Sequence, residues 1–163
     1  TTIWGPGMNA HYQRFFRMVA DGRYFHVGQR PLRKSYGYVG NVVHQYSSLL
    51  RAKADDIHGK TFYLADYEAL SLREWANMLS SQLGSGPIKT VPESLARLVA
   101  LFGDLINVCG YRGFPLNSFR LNNVMTEYQV DMSDTEKVCG PLPYTLEHGV
   151  NATSRWYRTI RST

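Results

Sequence analysis

The sequence predicts an α/β fold in which short strands alternate with helices at first and helices dominate later. The opening run breaks at Gly5-Pro6-Gly7, as a strand does when it leads into a tight loop. A compact apolar run covers residues 60–65, and apolar residues repeat at helical spacing through the second half. We therefore expect few strands and a mainly helical lobe. A chain of 163 residues has the length of a single domain with a substantial core.

The first half predicts strands and helices in alternation. The predicted strands are residues 1–4, 24–27, 36–39 and 60–65. The last of these is apolar along its length, which is typical of a buried parallel strand. The predicted helices are residues 10–20 and 42–52, each with one apolar side. Val42, Tyr46, Leu49 and Leu50 form that side of the second helix.

The clearest local pattern begins at Ser71, which forms a capping box with Glu74. The helix that it opens has an apolar face and ends at Gly84. A short strand is predicted over residues 87–91. Ser133 and Glu136 repeat the capping-box spacing before a short helix that ends at Gly140.

Two long helices are predicted in the second half. Pro92 opens the first, and the last runs over residues 145–160. The helix after Pro92 has large apolar residues at helical spacing along one face. These residues are Leu95, Leu98, Val99, Phe102, Leu105 and Ile106.

Composition narrows the function classes. A 44% hydrophobic and 13% aromatic content excludes a disordered chain, and no apolar run approaches the length of a membrane span. The net charge of +5 comes from scattered basic residues, so we expect an anionic small molecule rather than a nucleic acid or a membrane as partner. Cys109 and Cys139 form neither a disulfide framework nor a metal pattern, which is typical of a reduced cytoplasmic protein.

Five stretches carry a resemblance to a known family, and they occur in the family's order. One is the segment 34–42, Lys-Ser-Tyr-Gly-Tyr-Val-Gly-Asn-Val, which is similar to "R-D-F-x-Y-V-x-D-V". The other four are the Gly5-Pro6-Gly7 loop and the segments 22–28, 59–74 and 131–157. Together they resemble the C-terminal half of the NAD-dependent epimerase/dehydratase family of extended short-chain dehydrogenases/reductases. Lys34 stands where the family has Arg, and Asn41 where it has Asp.

The family's catalytic signatures are absent from the chain. No Gly-rich dinucleotide fingerprint occurs, and no Tyr is followed four places later by Lys. The resemblance therefore implies that residues 1–163 are one C-terminal, substrate-binding portion of a Rossmann-type enzyme whose N-terminal half is absent. Catalytic residues, and the NAD or NADP site, are then expected upstream, and the isolated chain is expected to be inactive and to bind no cofactor or metal. The start at Thr1 rather than Met fits this expectation.

The resemblance also implies site residues. Pro6 matches the family proline that borders the nicotinamide, and Phe25 and His26 match the strand beside the nucleotide base. Lys34 matches the position that contacts the diphosphate, although a lysine lacks the two-pronged geometry of arginine. Arg112 and Arg120 lie where the family places another phosphate-binding arginine. Each has a purely structural alternative: a loop proline, core packing for Phe25, and solvated surface for the cations.

The function that the resemblance implies is hydride transfer to and from a sugar carbon of a nucleotide sugar, in a cytoplasmic homodimer. The alternative is a sensor or interaction protein that keeps the fold and has lost the chemistry. An upstream Tyr-x-x-x-Lys motif would favour the enzyme, and its loss would favour the sensor. A free-standing basic binding module is a third possibility.

Overall fold

The computed structural model describes residues 1–110, 114 and 116–161. Over these residues six short strands and eight helices follow one another. The strands are β1 (Thr2–Trp4), β2 (His26–Val27), β3 (Arg33–Lys34), β4 (Tyr36–Tyr38), β5 (Leu70–Ser71) and β6 (Thr90–Val91). The helices are α1 (Ala10–Ala20), α2 (Val39–Arg51), α3 (Ala54–Ile57), α4 (Leu72–Leu83), α5 (Glu93–Val108), α6 (Ser118–Met125), α7 (Ser133–Cys139) and α8 (Leu146–Arg161). The predicted α/β class with few strands and a helical second half is confirmed.

The strands form three pairs. β1 lies parallel to β4, with Trp4 opposite Tyr38, and β2 lies parallel to β6. β3 and β5 are antiparallel, with Lys34 opposite Leu70. A parallel pair needs a long connection between its strands, and α1 lies in the connection from β1 to β4.

The main core is built around Trp4, which is 1% exposed. Its ring centroid lies 5.1 Å from that of Trp75 on α4 and 5.3 Å from that of Tyr38 on β4. Helix α8 closes this cluster at Gly149, where a Cβ atom would lie 2.7 Å from Cη2 of Trp4. The glycine thus lets the last helix approach the first strand closely.

Local patterns predicted several element ends correctly. The Ser71 hydroxyl accepts a hydrogen bond from the Glu74 amide at 3.4 Å at the start of α4. Gly84 ends that helix in the left-handed region, at φ 73°. Helix α8 begins and ends within one residue of its predicted range.

The prediction of a strand over residues 60–65 is wrong, because the carbonyl groups of this segment bond to side chains instead of a neighbouring strand. The Tyr63 carbonyl accepts from the Thr135 hydroxyl at 2.8 Å, and the Leu64 carbonyl accepts from the Thr1 hydroxyl at 2.6 Å. The Ala65 carbonyl accepts from Nε2 of Gln45 at 2.7 Å.

The large apolar face of α5 is not the face that packs against the core. The residues that α5 buries are Ala96, Ala100 and Gly103, and five of the six large residues on the predicted apolar face are exposed. At Gly103 a Cβ atom would collide with the Leu116 carbonyl oxygen, so small residues are what this packing admits. The outward side of α5 consequently carries the leucines and Phe102.

Two smaller predictions need correction. The second capping box does not form: Met132 is the N-cap of α7, and Asp131 Oδ1 accepts the Ser133 amide at 2.9 Å. On α2, Tyr46 and Leu50 are exposed, while the buried side holds Val42 together with two polar residues. Those polar residues bond to the segment around residue 65, which is why α2 turns that side inward.

No helix within the described ranges is long and apolar enough to cross a membrane.

We predict that Gly149→Ala lowers the free energy of unfolding, by about 1–2 kcal/mol net. Alanine favours a helix by about 1 kcal/mol over glycine, but here its methyl group would overlap Trp4 and Tyr38. Urea unfolding measures the difference. Ser81→Ala, on the exposed side of α4, is the control and should not lose stability. An unchanged or higher stability for Gly149→Ala would contradict the close packing of α8 on β1.

Candidate functional site

A pocket of about 230 Å³ lies among β1, α1, β4 and α4. Its walls are mainly aromatic, and we call it the aromatic pocket. The aromatic side chains that line it include Trp4, Tyr12, Phe15, Tyr24, Tyr36 and Trp75. Lys34 is the only charged residue in its lining among the described residues. Mostly apolar walls with few polar groups are typical of small-molecule sites.

The Gly5-Pro6-Gly7 turn positions one wall of the aromatic pocket. The Met8 amide donates to the Gly5 carbonyl at 3.2 Å, which closes the turn. A side chain on Gly5 would collide with Val39, so the turn lies directly against the start of α2. Asn9 then caps α1, with Oδ1 accepting from the amides of the two residues that follow Ala10. The result is that Tyr12 and Phe15 face the pocket.

Lys34 places a positive charge in these apolar surroundings. It is 8% exposed, and its ammonium group donates to the Asn123 carbonyl at 2.5 Å. No carboxylate lies within ion-pair distance of it among the described residues. Burial therefore lowers the pKa of Lys34 from its usual value. A buried cation without an anionic partner is costly, and an anionic ligand would supply that partner.

Two tyrosines and two tryptophans line the same pocket as this charge. Burial raises the pKa of Tyr24 to about 12, against the opposing attraction of Arg73, and it raises the pKa of Tyr36 as well. Both phenols therefore stay protonated at neutral pH. The indole N–H groups of Trp4 and Trp75 are buried and have no acceptor in the described part of the chain. The pocket thus combines aromatic walls, two protonated phenols and one positive charge, which suits an anion attached to a flat or apolar body.

Pro6, Phe25 and His26 do not belong to the lining of the aromatic pocket. Pro6 is half-buried in the turn just before Met8, which lines the pocket. His26 is buried with Nε2 3.0 Å from Oδ1 of Asn77, and burial lowers its pKa, so the ring is neutral. Phe25 packs against the cluster that contains Ala96 and does not line the aromatic pocket.

Apart from Lys34, none of the residues that line the aromatic pocket was predicted as a site residue, and Tyr24 is one that a pattern in the sequence could have revealed. It precedes Phe25 and points to the opposite side, toward Phe15, at 5.1 Å between ring centroids. Alternation along the predicted strand could have identified it, since neighbouring side chains in a strand face opposite ways.

Of the two predicted phosphate-binding arginines, Arg120 belongs to α6. Arg120 lies in the first turn of α6, and Nη1 donates to the Phe114 carbonyl at 3.1 Å. Arg112 lies outside the described residues. The same helix carries Asn123, whose carbonyl accepts from Lys34, so α6 borders the pocket next to the cation.

Asn41, the residue that replaces the family's aspartate, lies in a buried hydrogen-bonded group. Its Nδ2 donates to Oδ1 of Asp66 at 2.7 Å and to the Tyr144 carbonyl at 3.0 Å, while its Oδ1 accepts from the Tyr144 amide at 3.1 Å. Asp66 also accepts from the Tyr38 amide at 3.1 Å. Burial raises the pKa of Asp66, and these bonds oppose the shift. An aspartate at position 41 would face another carboxylate here.

The N-terminus of α1, which follows the Gly5-Pro6-Gly7 turn, is not free to cradle a dinucleotide. The free amides at a helix N-terminus usually bind its diphosphate, but those of His11 and Tyr12 already bond to Asn9. No group of three or more His, Cys, Asp and Glu residues in the described ranges could hold a metal ion. The arrangement of the aromatic pocket supports ligand binding.

Sequence comparison finds distant relatives. An uncharacterized protein of Sinorhizobium fredii, y4nL, is 24% identical over 160 residues, which cover 94% of this chain and 44% of that protein. The N-acetyl-alpha-D-glucosaminyl-diphospho-ditrans,octacis-undecaprenol 4-epimerase of Escherichia coli O157:H7 is 22% identical over 157 residues, covering 96% of this chain and 47% of the enzyme. The chain therefore spans less than half the length of these relatives. No family model matches the sequence.

Solved structures agree on the fold. The UDP-glucuronic acid 4-epimerase of Bacillus cereus, in complex with NAD, aligns with a TM-score of 0.64 at 13% identity. The alignment covers 98% of this chain and 43% of that enzyme. RMD of Pseudomonas aeruginosa, complexed with NADPH, aligns with a TM-score of 0.59 at 14% identity, over 98% of this chain and 46% of the other. The resemblance to part of an extended short-chain dehydrogenase/reductase is confirmed at the level of the fold.

We predict that Lys34→Met does not lower the free energy of unfolding at neutral pH and raises it by up to about 1 kcal/mol. Burial penalises the charged amine, whose folded pKa lies below its unfolded value of about 10.5. The parent protein therefore gains stability as the pH rises from the folded pKa of Lys34 toward the unfolded pKa. Over that range the difference in free energy of unfolding between the parent and Lys34→Met decreases. Urea unfolding at neutral and alkaline pH tests this, with the exposed Lys137→Met as control. A large loss of stability in Lys34→Met would show that the ammonium group is structural.

We predict that Asn41→Asp destabilises the fold by about 2–4 kcal/mol at neutral pH. The change removes both donors of Asn41 and places a second carboxylate next to Asp66. One carboxyl must then take up a proton on folding, so its folded pKa exceeds its unfolded value. The Asn41→Asp variant therefore keeps its stability below about pH 4, where both carboxyls are protonated, and loses it as the pH rises through the folded pKa.

Thermal unfolding of Asn41→Asp across this pH range is the measurement, with Asn122→Asp on the exposed side of α6 as a matched change. If Asn41→Asp loses stability by the same amount at every pH, carboxylate repulsion is ruled out as the cause of the loss.

Proposed function

We propose that this chain is the substrate-binding part of an NAD- or NADP-dependent epimerase or dehydratase that acts on a nucleotide sugar. The observation that carries the proposal is Lys34, a buried cation without an anionic partner in an aromatic pocket. The substrate's diphosphate supplies the missing anion. The aromatic walls exclude water and thereby strengthen the attraction between the two charges.

The solved relatives support this proposal. The Bacillus cereus enzyme, an epimerase, has been solved with both UDP-glucuronic acid and NAD, and its fold matches 98% of this chain. The chain spans less than half of that enzyme, so we assign the cofactor site and the proton-transfer residues to a half encoded upstream. A nicotinamide held there supplies the hydride acceptor and donor. The residues of this chain bind and orient the sugar diphosphate.

Further residues have roles in this proposal. Pro6, at the turn beside β1, borders the nicotinamide end of the substrate. Phe25 and His26 lie toward the nucleotide base, and Arg112 and Arg120 assist Lys34 at the diphosphate. The enzyme acts in the cytoplasm as a homodimer. The competing function, a non-enzymatic sensor with the same fold, requires that the upstream half lacks Tyr-x-x-x-Lys.

The diphosphate of such a sugar can be attached to either of two carriers. In a nucleotide sugar the carrier is a nucleoside, whereas the curated Escherichia coli relative is named for a polyprenol-linked substrate. Lys34 would meet the same diphosphate group in either case. We favour the nucleoside, because the aromatic pocket offers flat faces for a base or a sugar ring. Binding assays with a UDP-sugar and with a short-chain polyprenyl diphosphate sugar distinguish the two.

We predict that Lys34→Met weakens binding of the diphosphate sugar about 10- to 150-fold in the full-length protein, which corresponds to about 1.5–3 kcal/mol. The affinity for NAD should stay within about twofold, since in this proposal Lys34 binds the substrate and does not contact NAD. Isothermal titration of each ligand measures both values. Arg120→Ala tests the second cation in the same way.

Lys137→Met removes an exposed cation and should leave both affinities unchanged. If Lys34→Met and Arg120→Ala both bind the sugar like the parent, the diphosphate site is assigned wrongly, even though the fold relationship stands.

A further inference from the structure

Backbone pairing on both sides of its strand holds Lys34 in place. On one side β3 pairs with β5, where Lys34 lies opposite Leu70. On the other side Lys34 forms a parallel bridge with Tyr128, and the Ser35 amide donates to the Tyr128 carbonyl at 2.7 Å. The side chain that lines the aromatic pocket therefore starts from a fixed backbone.

The surroundings of this amine favour its neutral form. A lysine ammonium group has three N–H donors, but in the described part of the chain Nζ has one acceptor, the Asn123 carbonyl at 2.5 Å. Lys34 is buried, so water does not hydrate the other donors as it does at a surface. No Asp or Glu lines the aromatic pocket in the described ranges. Burial thus shifts the equilibrium toward the neutral amine, which has a free electron pair.

A neutral amine in an apolar pocket is a nucleophile. The aromatic walls offer flat faces that can hold an electrophile beside it. Among the described residues the lining contains no cysteine and no histidine, so Lys34 is the nucleophile that this pocket offers. An exposed lysine amine, by contrast, is charged at neutral pH and has no free electron pair. The exposed lysines of the chain are Lys53, Lys60, Lys89 and Lys137.

We propose that Lys34 forms an imine with an aldehyde or ketone whose carbonyl group is attached to a flat, apolar body. The nitrogen electron pair attacks the carbonyl carbon and forms a C–N bond. The carbonyl oxygen takes up a proton as the nitrogen loses one, which gives a carbinolamine. The hydroxyl then leaves as water together with the second nitrogen proton, and a C=N bond remains. Water reverses both steps, so the reaction needs no oxidant or reductant.

Imine formation does not rest on the proposed function. An anion beside Lys34 stabilises the ammonium group, whereas an aldehyde reacts with the neutral amine of the unliganded pocket. The two classes of ligand therefore compete for one side chain. Each can be tested in the absence of the other, and a failure of imine formation leaves the diphosphate proposal intact.

Benzaldehyde with cyanoborohydride tests the proposal on the native polypeptide that contains this chain. Cyanoborohydride delivers hydride to the imine carbon and converts the imine into a stable benzylamine, which peptide mass spectrometry locates. At pH 7, without a phosphate ligand, Lys34 should be labelled at least about tenfold faster than Lys137, the gain in neutral amine that a pKa lower by about one unit gives. The labelling rate at Lys34 should also level off at a lower pH than the rate at Lys137.

Two controls separate the effect of the pocket from that of the local sequence. In concentrated urea Lys34 and Lys137 should be labelled at similar rates, because unfolding removes the pocket. Lys34→Met should abolish the fast label, whereas Lys137→Met removes an exposed lysine and should keep it. Three results would overturn the proposal: labelling of Lys34 no faster than Lys137 in the folded protein, a preference for Lys34 that persists in urea, or a fast label that survives Lys34→Met.

Discussion

The burial of Trp4 is the constraint on which the rest of this structure depends. Its indole is the meeting point of the first strand, the fourth strand, helix α4 and helix α8. Burying a tryptophan removes about 150–250 Å² from water, which at about 25 cal/mol per Å² stabilises the fold by about 4–6 kcal/mol at most. Gly149 must remain small for α8 to reach that ring. The packing of the last helix against the first strand therefore depends on one contact.

Trp4 and its neighbour Trp75 connect the stability of the fold to ligand binding. Trp4 and Trp75 belong to the core and also wall the aromatic pocket, so the pocket inherits the rigidity of the core. A rigid apolar wall keeps water from the Lys34 ammonium group, and that exclusion both lowers its pKa and increases its attraction for an anion. The lysine thus lowers the stability of the free protein while it prepares the pocket for a charged ligand. Such a trade between stability and function is common at binding sites.

Features encoded by a few adjacent residues could be predicted from the sequence. The cap at Ser71 and the stop at Gly84 define α4 through bonds within one turn, so their pattern suffices. The strand prediction over residues 60–65 was wrong for the opposite reason. Their carbonyl partners come from Thr1, Gln45 and Thr135, which are distant in sequence, and β propensity cannot reveal them. Likewise, the resemblance to a family identified Lys34, but its contact with Asn123 depends on how α6 packs.

Helix α5 shows why a periodic pattern can predict a helix and still assign the wrong side to the core. Large residues repeat along one side, but Ala96, Ala100 and Gly103 repeat along the other at spacings of four and three. Both stripes are apolar, so hydrophobicity does not choose between them. The choice follows from distance: the Leu116 carbonyl approaches too closely for any side chain at Gly103, and only the small stripe permits this. Among the residues that the structure describes, the bulky stripe consequently lies on the outer side of α5, exposed to water.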